Sequence, residues 1–310
     1  MVNLLVNRFA GLILTIISVS LILFMVLEIN GDNVAVKVLG QFSSQEQRES
    51  WLEENGYNRN AFIRYGEWLG KFFTGDLGRS TRYKTEIGPL LADRLANTGI
   101  LAGLTMLFMI PLSLLLGVIA GKKSGLPTEK GISLACIITS SIPEFASSVF
   151  LASVFVYLLE WLPGVSSMYS GFDWREMVLP VSVLVLYSFG YITRMTITSV
   201  DEVNRSNYVR TAVLKGVNKS AITFRHILRN ALLTPITVIL LQIPWLLSGV
   251  IVVEYFFAYK GFGALLLEAS LNDDIYLIEA CAMVSVVAVV ISQIIADISY
   301  TLLNPRIRFR

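Results

Sequence analysis

Charge is what this 310-residue chain has least of. Asp, Glu, Lys and Arg make up 15% of it and hydrophobic residues 54%, whereas a soluble domain carries about 25% charged residues. The apolar surplus falls in long unbroken blocks, which excludes both an ordinary water-soluble enzyme and a disordered chain. Cysteine is nearly absent: Cys136 and Cys281 lie inside apolar runs and offer neither a disulfide framework nor a metal-ligand spacing. With His226 as the single histidine, clustered imidazole chemistry is excluded, and a serine at membrane depth has no base to activate it. A net charge of +2 is too small to argue for nucleic acid. Also missing is a Gly-x-x-x-x-Gly-Lys-Ser/Thr loop, so the chain cannot cradle nucleotide phosphates itself. Gly216-Val217-Asn218-Lys219-Ser220 echoes it without the first glycine or a preceding strand.

What is there in quantity is membrane-length apolar sequence. A bilayer core about 30 Å thick needs roughly 20 apolar residues, and six stretches qualify: Phe9–Ile29, Thr98–Ala120, Ile132–Leu159, Met177–Ser199, Ala231–Val253 and Tyr276–Leu303. The first is expected to be a span and not a cleaved signal, since no small-x-small site follows Ile29. Pro111, Pro143, Pro235 and Pro244 fall inside spans and predict kinks. Basic residues cluster in the segments after spans two and four and in the tails. They are Arg8; Lys122, Lys123, Lys130; Arg205, Arg210, Lys215, Lys219, Arg225, Arg229; and Arg306, Arg308, Arg310. The short loops after spans three and five hold only Arg175 and Lys260, against Glu160, Asp173, Glu176, Glu254, Glu268, Asp273 and Asp274. The positive-inside rule then predicts both termini in the cytoplasm and places the segment Asn30–Asn97 outside. Helical spacing within that segment predicts helices over Glu46–Glu54 and Asn60–Phe73, lying along the membrane face or under a partner.

The loop Val200–Asn230 carries the most information. Val209, Ala212 and Val213 share one helical face, Gly216 suits a left-handed helix stop, and Asn218 or Ser220 suits the cap of a second helix. A basic loop that merely obeys the positive-inside rule would explain the charge. It would not need a compact small-residue turn ending in glycine. A rigid knob continuous with two spans is suited to receive force from a soluble partner.

Thr211-Ala212, three residues, then Gly216 resembles the EAA loop of ABC importer permeases. The longer run Tyr208-Val209-Arg210-Thr211-Ala212, Lys215-Gly216, Phe224-Arg225-His226 and Leu228-Arg229-Asn230-Ala231-Leu232 is similar to the B-type permease of the dipeptide/oligopeptide/nickel importers. Phe73-Thr74-Gly75-Asp76-Leu77-Gly78 with Ser80, Leu95 with Thr98, Pro111 with Gly117, Glu254 with Phe257 and Gly261-Phe262-Gly263, Asn272 with Asp274, and Asp297 with Tyr300 and Pro305-Arg306 extend the resemblance along nearly the whole chain. Arg210 stands at the EAA glutamate, and His226-Ile227-Leu228-Arg229 stands where the general pattern is Ile-x-Leu-Pro. Lys260 and Tyr276 replace customary prolines, which predicts a loosened external turn.

The resemblance implies an all-α membrane protein with the type I ABC importer permease fold, six transmembrane helices and both termini cytoplasmic. It implies residues 1–93 as first helix plus long extracytoplasmic segment, 94–303 as the transmembrane core with coupling loop 200–230, and 304–310 as cytoplasmic tail. The implied partners are a homologous second permease, two cytoplasmic ATPase subunits that carry ATP and magnesium, and an external binding protein. No cofactor or metal is expected in this chain, and the implied localisation is the bacterial inner membrane. Tyr208, Arg210, Thr211, Ala212, Lys215, Gly216, Arg225 and His226 are the implied ATPase-coupling residues, with His226 either a contact or plain surface. The implied cargo is a peptide or a related small solute such as a nickel chelate, a glutathione-like molecule or a metallophore.

Ionisable groups at membrane depth are costly, roughly 2.5–3.5 kcal/mol on insertion scales. Glu144, after Pro143, is therefore either a translocation-path acid or a structural carboxylate. Ser140, Ser141, Gln242 and Gln293 are candidates to line the same path, and Trp245 to pack at a gate. Asp297 is expected to pair with Arg194, Arg8 or the tail, Glu28 and Glu279 to be solvated near the interface, and Trp161, Tyr169 and Trp174 to anchor it. A proton-coupled secondary transporter is the rival reading. Such folds often use ten or more spans with inverted repeats, which fits six spans and a structured basic loop poorly.

Overall fold

The computed structural model describes residues 2–28, 31–168, 171–248 and 250–303, with the side chains of 2–9, 28, 33, 248, 297 and 300–303 outside that description. Among the described residues the structure is helical, in the order α1 Val2–Glu28, α2 Gly31–Leu39, α3 Gln45–Glu54, α4 Ala61–Thr74, α5 Ile87–Gly121, α6 Pro127–Ser141 and α7 Glu144–Ala152. A π-helical turn over Ser153–Leu158 extends α7. Then follow α8 Trp174–Asn204, α9 Asn207–Leu214, α10 Lys219–Ala221, a second π turn over Ile222–Leu228, α11 Arg229–Ala231, α12 Leu233–Ser248, α13 Ile251–Phe256, α14 Phe262–Leu271 and α15 Ile275–Leu303. Tyr169, the side chains of Arg8, Glu28 and Asp297, and the tail with Pro305-Arg306 lie outside the described residues.

Helices α1, α5, α8 and α15 are each long and apolar enough to cross a bilayer, and two bent pairs bring the number to six. One pair is α6 with α7 and its π turn, broken by 98°. Pro143 was expected to kink span three, and it does more. Ile142, forced out of helical geometry by the following proline, sits at φ −85° and ψ 123°, and Pro143 at ψ 147°. Two extended residues in succession end one helix and start another. The second pair joins Lys219–Ala231 to Leu233–Leu247 with a 48° bend. Span five thus begins earlier than expected and stops near Ser248, with α13 a separate short helix.

The chain forms two compact units, residues 1–98 with 260–291 and residues 99–259 with 292–310. In the first, the helices expected over Glu46–Glu54 and Asn60–Phe73 are present as α3 and α4. Ser44 and Gln47 form a capping box at α3, and Asn60 caps α4. Phe24 of α1 packs edge-on against Tyr65, centroids 5.5 Å apart, and beside Trp68. Ile87, Leu91, Phe262, Leu265, Leu277 and Cys281 form a buried core. Acids bolt this unit together. Asp274, fully buried, accepts from Ser80 Oγ at 2.5 Å and from the Arg82 amide at 3.1 Å. Tyr83 donates its hydroxyl to Glu268; burial and that bond push the phenol up to about 12, so it stays a donor. Glu279, expected to be solvated, is 2% exposed and accepts from Trp68 Nε1 at 3.0 Å. The turn at Lys260 carries two hydrogen bonds with residues remote in sequence. Asn97 Nδ2 donates to the Lys260 carbonyl at 2.8 Å, and the Phe262 amide donates to Thr98 Oγ1 at 2.8 Å.

In the second unit α8 is the hub against which α6, α7, α11, α12 and α13 pack. Close approach depends on glycine. A Cβ at Gly117 would lie 2.3 Å from Thr196 Cβ, one at Gly121 2.7 Å from Val200 Cβ, and one at Gly190 2.6 Å from the Cys136 carbonyl oxygen. Gly117 and Gly121 are one Gly-x-x-x-Gly pair, the spacing that lets membrane helices touch backbone to backbone.

Gly117→Val is expected to destabilise the protein by about 1–3 kcal/mol through overpacking, seen as a lowered melting temperature in detergent. Gly131→Ala, in open space, should leave it unchanged or slightly raised. Asp274→Ala should hasten tryptic cleavage at Arg79, Arg82 and Lys84, measured by mass spectrometry of timed digests.

Candidate functional site

The segment between α8 and α12 forms a compact elbow. Helix α8 ends at Asn204, and Ser206 starts α9 in extended geometry. Gly216 then sits at φ +71°. Its amide donates to the Val213 carbonyl at 3.0 Å, and the Val217 amide to the Ala212 carbonyl at 3.1 Å. These paired bonds are a Schellman stop, which needs a left-handed residue where glycine sits. Asn218 caps the next turn, its Oδ1 accepting from the Ser220 amide at 3.0 Å. The π turn follows, and its spacing brings Ile222 and Ile227, five residues apart, onto the same buried side.

The inner face of the elbow is a small apolar core of Val200, Val209, Ala212, Ile222, Ile227 and Ala231. Three polar bonds fix it to α8 and to the end of α5. Ser199 Oγ donates to the Ala231 carbonyl at 2.7 Å, Lys122 Nζ to Thr223 Oγ1 at 2.8 Å, and Arg205 to Asp201 at 2.9 Å. Val213 was expected to share the face of Val209 and Ala212, yet it is 57% exposed. At 100° per residue, Val213 stands a full step round α9 from Ala212, and the narrow core has no room for it.

The expected coupling residues divide into two groups. Ala212 is buried and Gly216 forms the stop. Tyr208 accepts from Asn230 Nδ2 at 3.0 Å, Thr211 donates to the Asn207 carbonyl at 2.8 Å, and the His226 carbonyl accepts from Asn230. Arg210, Lys215 and Arg225 are exposed. Sequence reasoning passed over Leu214, 80% exposed, and Phe224, 70% exposed. Their signal was available: both fall out of phase with the buried set.

The expected path residues are less concentrated. Glu144 is the first residue of α7, at the 98° break, where the helix dipole favours an anion. It is half-buried, and its carboxylate has no hydrogen-bond partner among the described residues. Ser140 and Ser141 donate to their own helix, to the carbonyls of Cys136 and Ile137, both at 2.7 Å. Trp245 stacks on Tyr187, centroids 5.3 Å apart. Gln242 is partly exposed on α12, and Gln293 is exposed on α15. None of these lines the apolar cavity of about 750 Å³ in the same unit.

Residues 113–309, which include the whole elbow, match the family model of binding-protein-dependent transport system inner membrane components. The chain is 33% identical over 273 residues, 86% of each protein, to the oligopeptide transport system permease protein AppB of Bacillus subtilis. It is 30% identical over 313 residues to a putative peptide transport system permease protein of Brucella abortus. It is 29% identical over 312 residues to the glutathione transport system permease protein GsiC of Pectobacterium atrosepticum. Both of these alignments cover 100% of each chain.

Gly216→Ala is expected to cost about 1–2 kcal/mol, the penalty of a left-handed residue with a Cβ, and Gly216→Asn less. Hydrogen exchange read by mass spectrometry should show the Gly216 and Val217 amides opening faster in the alanine variant.

Proposed function

Since the chain belongs to the family of binding-protein-dependent transport system inner membrane components, as a multi-pass ABC importer permease subunit with no ATPase site of its own, we propose that its elbow is the coupling lever. In this reading the elbow and both termini lie in the cytoplasm, and the segment 30–97 faces the outside. The observation that carries it is the division of the elbow's apolar residues. Val209, Ala212, Ile222 and Ile227 fill the inside, while Tyr208, Val213, Leu214, Val217 and Phe224 remain on the outside. Exposed apolar side chains amid Arg210, Lys215 and Arg225 suit a groove in a soluble subunit better than they suit water.

Two ATPase subunits carrying ATP and magnesium, a homologous second permease and an extracytoplasmic substrate-binding protein complete the proposed complex. Closure of the ATPase pair pushes the elbow. The elbow moves α8 and α12 with it through Val200, Ala231 and the Ser199 bond, and the spans pass between inward-open and outward-open states. Glu144 lines the path at the α6–α7 break. The cargo is a peptide or peptide-like solute, a reading supported by relatives named for oligopeptide, peptide and glutathione transport. Nothing in the chain favours proton coupling over this arrangement.

Ala212 is buried, so Ala212→Arg would break the elbow itself and tests its fold. Leu214→Asp and Phe224→Asp test its contact. Each is expected to leave the permease inserted while retention of ATPase subunits and ATP-driven uptake in membrane vesicles fall at least about tenfold, as loss of a desolvated interface anchor does. Normal uptake in both variants overturns the lever. Glu144→Gln should change uptake with the complex intact; if the complex dissociates instead, Glu144 is structural.

A further inference from the structure

The cavity of about 750 Å³ in the second unit lies between α5, α7 with its π turn, and α8. Its walls are almost wholly apolar, from Leu104 and Phe108 of α5, through Leu151 and Phe155, to the face of α8 from Trp174 to Leu186, with Ser182 the polar exception. Trp174 and Leu186 stand about 18 Å apart along α8 at helical rise, close to the roughly 15 Å that one leaflet contributes to the hydrocarbon core. The cavity is thus one leaflet deep, at the end of α8 away from the elbow. A spanning helix of another subunit would run through both leaflets, and at about 10–12 Å across it would fill this volume in roughly one and a half turns. Acyl chains have the right length and surface.

The mouth says which lipid. Phe172 and Trp174 line it, both 65% exposed, and Trp161, 63% exposed, packs on Phe155. Exposed tryptophans of this kind mark headgroup depth. Arg175, next to Trp174, is exposed and has no ion-pair partner among the described residues. Glu160, two residues before the lining residue Leu162, is exposed and equally unpaired among them. Asp173 accepts from the Arg175 amide at 2.9 Å, and Glu176 from the Met168 amide at 2.8 Å. One guanidinium suits a phosphate. Glu160, Asp173 and Glu176, on the segments that carry the mouth residues, repel a net negative lipid and attract an ammonium.

We propose that this cavity is a binding site for the acyl chains of a zwitterionic phospholipid with a primary ammonium, phosphatidylethanolamine, whose phosphate meets Arg175. The site stands apart from the elbow and from the cargo reading. Its test is native mass spectrometry of the assembled importer in detergent, incubated with equal amounts of phosphatidylethanolamine, phosphatidylglycerol and cardiolipin. Phosphatidylethanolamine should be retained about fivefold over the others, as one carboxylate charge acting on the headgroup near a membrane surface gives. Glu160→Gln should narrow that preference while lipid is still retained, Arg175→Gln should weaken retention of all three lipids alike, and Ser182→Trp, which intrudes into the cavity, should weaken the adduct. Equal retention of all three lipids by the wild-type complex overturns the proposal, and so does preference for an anionic lipid. Crosslinking of the Phe108→Cys variant, through that position, to a helix of the second permease also overturns it. The wild-type competition decides the matter even where the tryptophan variant does not assemble.

Discussion

The contact between α8 and its neighbours is the constraint on which the rest of the second unit depends. Lipid tails are as apolar as leucine, so helices in a bilayer gain little from hiding hydrophobic surface from each other. They associate through close van der Waals packing and hydrogen bonds. Gly117, Gly121 and Gly190 remove the side chains that would hold the backbones apart, and Thr196, Val200 and the Cys136 carbonyl occupy the space. With two thirds of its most apolar window buried, against 11% for α1, α8 is a membrane helix surrounded by protein. Displacing it displaces α6, α7 and α12 as well.

The elbow inherits its stiffness from that hub. Val200, on the last buried turn of α8, is also a member of the elbow's core, and Ser199 ties the same turn to Ala231 at the foot of the following span. A force applied to α9 therefore has no slack loop to stretch before it reaches α8. Rigid coupling of this kind is what a two-state machine requires, because a packed core shifts between discrete arrangements instead of deforming continuously. The break at Ile142–Pro143 is the complementary element. It interrupts the hydrogen-bond ladder of the α6–α7 pair and presents Glu144 at a helix start, where the helix dipole favours a carboxylate.

The first unit is held by a different means. Asp274, Glu268 and Glu279 each accept a hydrogen bond from a residue far away in sequence, Ser80, Tyr83 and Trp68 respectively. Buried carboxylates are costly unless their oxygens are satisfied, so these bonds fix the long segment 30–97 to α14 and α15. In the sequence the three acids look like loop and interface charges facing water. Nothing local marks them as buried, because their donors lie 185 to 211 residues away.

What the sequence determined alone was whatever rests on local rules. Span number, the helices α3 and α4, the glycine stop at 216 and the family follow from apolar length, from period and from motif spacing, each set by neighbours along the chain. Only the tertiary structure decided what depends on distance in space. It turned Val213, Leu214 and Phe224 outward, while Val209, Ala212, Ile222 and Ile227 took the inner face of the elbow. It stacked Trp245 on Tyr187, satisfied Ser140 and Ser141 within their own helix, buried Glu279, and converted a proline kink into a right-angled break. Each of these outcomes is a competition for volume or for a hydrogen-bond partner between segments remote in sequence, and no window along the chain contains both contestants.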